Sequence, residues 1–189
     1  MWPLFKKEIS GFFSSLTGYV VIAVFLMLTG LFMWVIPGQF NVLDNGYATL
    51  DTLFALAPWV FLFLVPAITM RMISEEKRTG TLDLLYTRPV SELQIILAKF
   101  LASWTLVLLS IMPPLVYFSS VSRLGTPPGN IDVGGTWGSY IGLLFLGGIY
   151  AAIGIFASSL TGNQIVAFIL AVFTSFPTAR EGSTWWAKT

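Results

Sequence analysis

Four blocks of this 189-residue chain, Tyr19–Ile36, Leu53–Met70, Ile95–Phe118 and Gly138–Leu160, stay apolar long enough to cross a bilayer. The hydrocarbon core is about 30 Å thick and a helix rises about 1.5 Å per residue, so about 20 mostly apolar residues make one crossing. A soluble core would not need blocks of this length, and the remaining sequence could not cover one. Only 10% of the residues are charged against 56% hydrophobic, with a mean hydropathy of +0.81; an average soluble domain carries roughly 25% charged residues. The chain therefore reads as an all-α polytopic transmembrane helical bundle.

A fifth apolar stretch, Gln164–Phe176, is only about 13 residues or roughly 20 Å long as a helix, which makes it a truncated span. The tail over residues 174–189 is polar, ends Trp-Trp-Ala-Lys-Thr and is expected to lie outside the fold. A shifted reading frame or a shortened gene near residue 174 is the origin expected for such a tail. Of the formal charges only Lys99 falls inside the four long blocks, about one turn in, where its stem is expected to snorkel to the interface.

Composition removes several function classes. The net charge of +1 provides no basic field for nucleic acid. Histidine and cysteine are both absent, which excludes disulfides, thiol catalysis, most zinc sites and a histidine acid or base. No catalytic, cofactor or metal site is expected in this chain. An ion channel or proton-coupled transporter would need ionisable groups within the membrane, and Lys99 alone does not supply them.

The distribution of Lys and Arg orients the spans. Lys6, Lys7, Arg71, Lys77, Arg78, Arg88 and Lys99 flank the N-terminal segment and the loop after span two, the loop after span one has none, and residues 119–137 hold only Arg123. The N-terminus and loop 71–94 are thus expected to be cytosolic. A signal peptide is a poor reading of the first 36 residues, because the apolar run is too long and lacks a small-residue cleavage site. Residues 2–16 instead form an amphipathic helix, with Trp2, Phe5, Ile9, Phe12, Phe13 and Leu16 on one side and Lys6, Lys7, Glu8 and serines on the other. Such a helix lies in the headgroup plane with its aromatic face in lipid, either as an anchor alone or also as part of a partner-binding surface.

Loop 71–94 concentrates four acidic and four basic residues, a density a passive connector does not require. Thr79 or Thr81 can cap a short helix with Leu82 and Leu85 on one side and Pro89 at its end. The following helix begins with Ser91 at the N-cap and Gln94 at N3, with Val90 and Ile95 as a hydrophobic staple. Patterning alone leaves two readings level: a docking surface with apolar anchors and a charged rim, or a solvated loop in which Glu75 and Arg78 pair with each other at i, i+3.

The order of an amphipathic entry helix, two spans and a Glu75-Glu76-Lys77-Arg78-Thr79-Gly80-Thr81-Leu82 run leading to Arg88-Pro89 and Lys99 resembles the ABC-2 class of ATP-binding-cassette permeases. Four further blocks, Asn41-Val-Leu-Asp-Asn-Gly-Tyr-Ala, Leu56–Arg71, Gly138-Ser-Tyr-Ile-Gly-Leu-Leu and Ser158-Ser-Leu-Thr-Gly-Asn-Gln-Ile-Val-Ala-Phe, resemble the gliding-motility-associated members of that class. The likeness runs from about Phe5 to Phe173.

That resemblance implies a bacterial inner-membrane permease half, 1–173, that pairs with a second, identical or different half. Residues 75–89 would be the coupling region against a cytosolic ABC ATPase, with Glu75, Glu76, Lys77, Arg78, Gly80, Thr81, Leu82, Leu85, Arg88 and Pro89 as its contacts. The turn carrying Ser159, Thr161, Asn163 and Gln164 would be a second, smaller contact. A membrane protein with a large extracytoplasmic domain is a further implied partner. The chain contains no Gly-x4-Gly-Lys-Ser/Thr phosphate loop, so ATP and its Mg would sit on the ATPase. Closure of the ATPase would move loop 71–94 and tilt spans two and three to open a cavity between the halves. Pro58, Pro66, Pro113 and Pro114 are candidate kinks in those spans, or ordinary prolines of membrane helices. Gly147/Ala151 and Gly148/Ala152 place small residues four apart for close helix packing. A scaffold subunit of a motility or secretion machine, anchoring it without moving solute, is the alternative function.

Overall fold

The computed structural model describes residues 2–45, 49–81, 91–125 and 131–183, and among these every regular element is a helix. In chain order they are α1 (Trp2–Ser14), α2 (Thr17–Trp34), α3 (Val42–Asn45), α4 (Asp51–Thr79), α5 (Glu92–Ile111), α6 (Leu115–Leu124), α7 (Val133–Leu160) and α8 (Gln164–Gly182). Five stretches are long and apolar enough to cross a membrane: α2, α4, α5 with α6, α7 and α8. The all-α bundle read from the sequence is thus the one found, and the chain is a multi-pass membrane protein.

α4 and α7 form the centre. The main core joins Phe25 of α2, Leu53, Phe61 and Val65 of α4, Val107 of α5, Leu143 and Tyr150 of α7 and Ala179 of α8. Over half of the apolar window of α4 and of α7 is buried, against 28% for α2 and for α8, so the latter two border the bundle. Lipid is as apolar as leucine, and helices in it associate through close packing rather than through escape from water. Glycines on α7 provide that closeness: a Cβ on Gly147 would lie 2.4 Å from Val107 Cγ1, and one on Gly154 2.0 Å from Thr69 Oγ1. The small-residue pairs of this span do serve packing within the chain at Gly147, Gly148 and Ala151, whereas Ala152 is exposed.

Three expectations about the spans and one about the N-terminal helix are corrected. The second span does not end at Met70. Helix α4 runs on through residues 71–79 and stops only at Gly80, whose φ of 68° is left-handed and whose N–H donates to the carbonyls of Glu76 and Lys77. Nothing before Gly80 breaks the helix, and glycine alone adopts that terminating conformation without strain. Thr79 is accordingly not an N-cap; its hydroxyl donates back to the Glu75 carbonyl at 2.9 Å. Residues 82–90, including the expected short helix and the Val90 staple, lie outside the described residues.

The third span is interrupted. Pro113 and Pro114 have no N–H, so the carbonyls of Leu109 and Ser110 lose their helical donors and the chain turns between α5 and α6. The Tyr140 hydroxyl donates to the Pro114 carbonyl at 3.0 Å and ties this break to α7. Of the four candidate kinks, Pro58 and Pro66 lie inside an unbroken α4.

The fifth span is longer than the apolar letters suggested. Helix α8 has 19 residues, about 28 Å at the standard rise, and passes Pro177 to reach Gly182. Ala167, Ala171, Ser175, Ala179 and Gly182 recur on one buried face against α4 and α7, so the polar stretch from 174 to 182 belongs to the bundle.

The N-terminal helix is also less lipid-exposed than its amphipathicity implied. Phe5, Ile9 and Phe12 pack on a second cluster made by Met72, Ile73, Ala102 and Ile155, leaving Trp2 exposed on the helix and Leu16 exposed just past its end.

Candidate functional site

The spans alternate in direction, which gathers α1, the end of α4, the start of α5 and the turn between α7 and α8 at one end of the bundle. Lys99 sits at the centre of this end and is 1% exposed. Its ammonium donates to Glu76 Oε1 of α4 at 2.9 Å, to Glu8 Oε1 of α1 at 3.2 Å and to the Met72 carbonyl at 2.7 Å. A lysine ammonium has three protons, and three acceptors surround it. The expected snorkelling does not occur, because the side chain finds two carboxylates inside the protein at the depth where it would otherwise turn toward water. Glu8 and Glu76 are themselves mostly covered, with side chains 15% exposed, and Glu76 Oε2 is buried without a hydrogen-bond partner. Taking such charges out of water is costly unless each is paired, so this triad holds α1, α4 and α5 to one another.

A second joint links α4 to α7. The Ser158 hydroxyl accepts from the backbone N–H of Ile73 at 3.1 Å and of Ser74 at 3.0 Å, and donates to the Met70 carbonyl at 3.0 Å. One residue further on, the Lys77 ammonium donates to the Ser159 carbonyl. The turn after α7 is ordered by its own polar side chains: Thr161 Oγ1 accepts from Asn163 N–H at 3.1 Å, and Asn163 Oδ1 accepts from Ile165 N–H at 3.0 Å to cap α8. Gln164 is the first residue of that helix.

The residues singled out from the sequence therefore separate into three groups. Lys77, Arg78, Gly80 and Thr81 are exposed at the end of α4, and Lys77 reaches the Ser159 carbonyl at the turn that carries Thr161 and Asn163. Glu75 pairs with Arg71 at 3.3 Å, four residues back, and not with Arg78; both side chains are over 40% exposed, so the pair contributes little. Glu76 faces inward onto Lys99 and is not a surface contact, which is a correction to its reading as a docking residue. Leu82, Leu85, Arg88 and Pro89 lie outside the described residues. Ser91 does cap α5, accepting from Gln94 N–H at 3.4 Å.

Sequence reasoning missed Glu8 and Ser158. The signal for Glu8 was available in Lys99 itself, since an ionisable residue inside a span normally has a partner. For Ser158 no local pattern distinguishes it from Ser159, whose hydroxyl donates to a carbonyl of its own helix, Phe156, at 2.7 Å. Beside the triad, α1 and α4 leave a groove of about 420 Å³ lined by Lys7, Phe12, Arg71, Met72, Glu75 and Thr81 among others. Among the described residues no group of three or more acidic side chains is arranged to hold a metal ion.

The arrangement is one of helix ends tied together by ion pairs and backbone contacts, in a bundle that spans the membrane several times. A sequence profile described as ABC-2 family transporter protein matches residues 35–179. The match covers more than half of the chain, which belongs to the ABC-2 transporter family and is a permease subunit of an ABC transporter. It also passes Phe173, where the likeness read from the sequence ended, and takes in most of α8. No curated protein and no solved structure matches the chain.

Proposed function

We propose that this permease receives the work of a separate cytosolic ABC ATPase at the end of the bundle formed by Lys77, Arg78, Gly80 and Thr81 together with the turn Ser159–Gln164, and converts it into export across a bacterial inner membrane. The observation that carries this reading is the bond from Lys77 to the Ser159 carbonyl, which joins two segments far apart in sequence. In this reading Leu82, Leu85, Arg88 and Pro89 are further contacts for the ATPase, with the two leucines as apolar anchors. The end bearing α1 is cytosolic, consistent with Lys6, Lys7, Arg71, Lys77 and Arg78 falling there. ATP and Mg reside on the ATPase, and a second permease half completes the pathway. The likeness of the outer-loop and fourth-span blocks supports a gliding-motility transporter, with a large extracytoplasmic protein as a further partner.

The test is co-purification with the ATPase subunit. Arg78→Glu and Leu82→Asp are expected to reduce recovery of the ATPase while the permease still inserts in the membrane. Recovery equal to that of the unaltered chain for both variants overturns the proposal. Glu76→Lys is not a suitable probe, because it would place a second cation against Lys99.

A further inference from the structure

We infer that Lys99 is a positioning residue that makes the N-terminal helix part of the coupling device: through Glu8 and Glu76 it clamps α1 and the end of α4 into one body. The inference rests on the coupling reading above and adds to it a second route, through α1, from the coupling segment to α2, which also packs directly on α4.

The geometry of the ammonium is the first argument. Its three donors are directed to three acceptors, on α1 and at two positions of α4, while its own stem belongs to α5. No donor is left over for a solute or a passing proton, so the group is a closed joint rather than a step in an ion pathway. An amphipathic helix that served only as a lipid anchor would be held by its apolar face and would need no buried ion pair. Here Glu8, on the polar side of α1, is drawn 15% exposed into the protein to meet a lysine 91 residues away.

The connection of α1 to α2 is the second argument. The chain turns between them with Gly18 lying so close to the preceding helix that a Cβ would sit 3.0 Å from the Phe12 carbonyl oxygen. A displacement of α1 is therefore passed to α2, the bordering span that begins at Thr17. The route runs from Glu76 to Lys99 to Glu8, then along α1 into α2. The profile match begins at residue 35 and includes neither Glu8 nor α1, so family membership does not supply this link.

The triad is unequal, and that inequality gives the test. One lysine faces two carboxylates. Removing Lys99 leaves the carboxylates facing each other, which threatens the fold; replacing Glu8 leaves a balanced Lys99–Glu76 pair and removes only the ionic tie to α1, whose Phe5, Ile9 and Phe12 still pack on Met72 and Ile73. Glu8→Gln is accordingly the informative variant.

The chain has no cysteine, so introduced pairs carry spin labels without background. In the complex of the full chain with its ATPase, in lipid nanodiscs, Thr79→Cys with Ile165→Cys reports the end of α4 against the start of α8, and Gly11→Cys with Ile165→Cys reports α1 against the same reference. Ile165 is 69% exposed and nothing lies within 4 Å of a Cβ at Gly11. Both distance distributions are expected to shift when ATP is added. In the Glu8→Gln background the α4 pair is expected to shift as before and the α1 pair to shift less. An α1 shift of unaltered size under Glu8→Gln overturns the clamp and leaves the coupling reading standing. An α4 pair that does not shift in the otherwise unaltered chain overturns the coupling reading, and the clamp falls with it.

Discussion

Gly154 on α7 and Thr69 on α4 meet with no room for one further carbon: a Cβ on the glycine would lie 2.0 Å from the threonine Oγ1 and 2.9 Å from its Cβ. Thr69 cannot easily turn away, because its hydroxyl is buried and donates to the Val65 carbonyl at 3.0 Å. Gly154→Ala is therefore expected to force α4 and α7 apart at a cost of about 1–3 kcal/mol, the usual range for overpacking. Thermal unfolding in detergent should show a lower midpoint for Gly154→Ala and a partial recovery in the double variant Gly154→Ala/Thr69→Ala. Equal midpoints for Gly154→Ala and the unaltered protein would show that the two helices have slack at this crossing.

Four residues further along α7, Ser158 and Ser159 look alike in sequence and differ in what they do. Ser158 serves two N–H groups and one carbonyl of α4, whereas Ser159 bonds within its own helix through its side chain. Ser158→Ala is expected to cost about 1–2 kcal/mol, near the upper end for hydrogen bonds between membrane helices. Ser159→Ala should stay within about 0.5 kcal/mol, as for a surface side chain with no cross-helix partner, since Lys77 bonds the Ser159 backbone carbonyl. Side-by-side unfolding of the two variants checks the difference.

This pair shows where the sequence is informative about such a protein and where it is not. Spans follow from the length of apolar runs, because the bilayer sets a minimum that few soluble elements reach. The Ser91 cap and the break at Pro113 and Pro114 follow from local backbone chemistry. The C-terminal part of α8 is hidden from hydropathy, which weighs letters singly: Thr174, Ser175 and Thr178 count as polar, while the repeat of Ala171, Ser175, Ala179 and Gly182 that fits the bundle is a matter of spacing. Lys99 was recognised as unusual, but its partners lie 23 and 91 residues away, and no local pattern connects them. Glu76 was placed on the docking surface because charge in a loop reads as exposed; the helix continues two turns further than expected and turns that side chain inward.

The Pro113–Pro114 break has a consequence at Tyr140. Its hydroxyl donates to the Pro114 carbonyl, and its ring lies edge-on to Phe54 with centroids 5.1 Å apart. Tyr140→Phe keeps the ring contact and removes the donor. The expected loss is about 0.5–1.5 kcal/mol, the range for one hydrogen bond. Restoring the hydrogen-bond ladder with Pro113→Ala/Pro114→Ala should make α5 and α6 continuous and pull the Pro114 carbonyl away from Tyr140, so Tyr140→Phe should cost less in that background than in the original. Unfolding midpoints of the four proteins form the cycle that measures this coupling.

The charge triad makes the sharpest stability prediction, because three substitutions at one site should rank in an order that packing alone would not produce. Lys99→Met matches the stem in length and apolar character, yet it leaves Glu8 and Glu76 close together without a cation. The cost expected for breaking a buried pair in this way is about 3–5 kcal/mol, at the upper end since two carboxylates are stranded. Glu76→Gln leaves Lys99 with Glu8 and the Met72 carbonyl, and Glu8→Gln leaves it with Glu76 and the same carbonyl; each retains one balanced pair and should cost about 1–3 kcal/mol. The triple variant Glu8→Gln/Glu76→Gln/Lys99→Met removes all charge from the site and should be more stable than Lys99→Met alone. If packing of the lysine stem were what mattered, Lys99→Met would be the mildest of the three single changes and the triple variant the worst of all. Membrane-inserted yield and detergent unfolding of the four variants decide between the two orders.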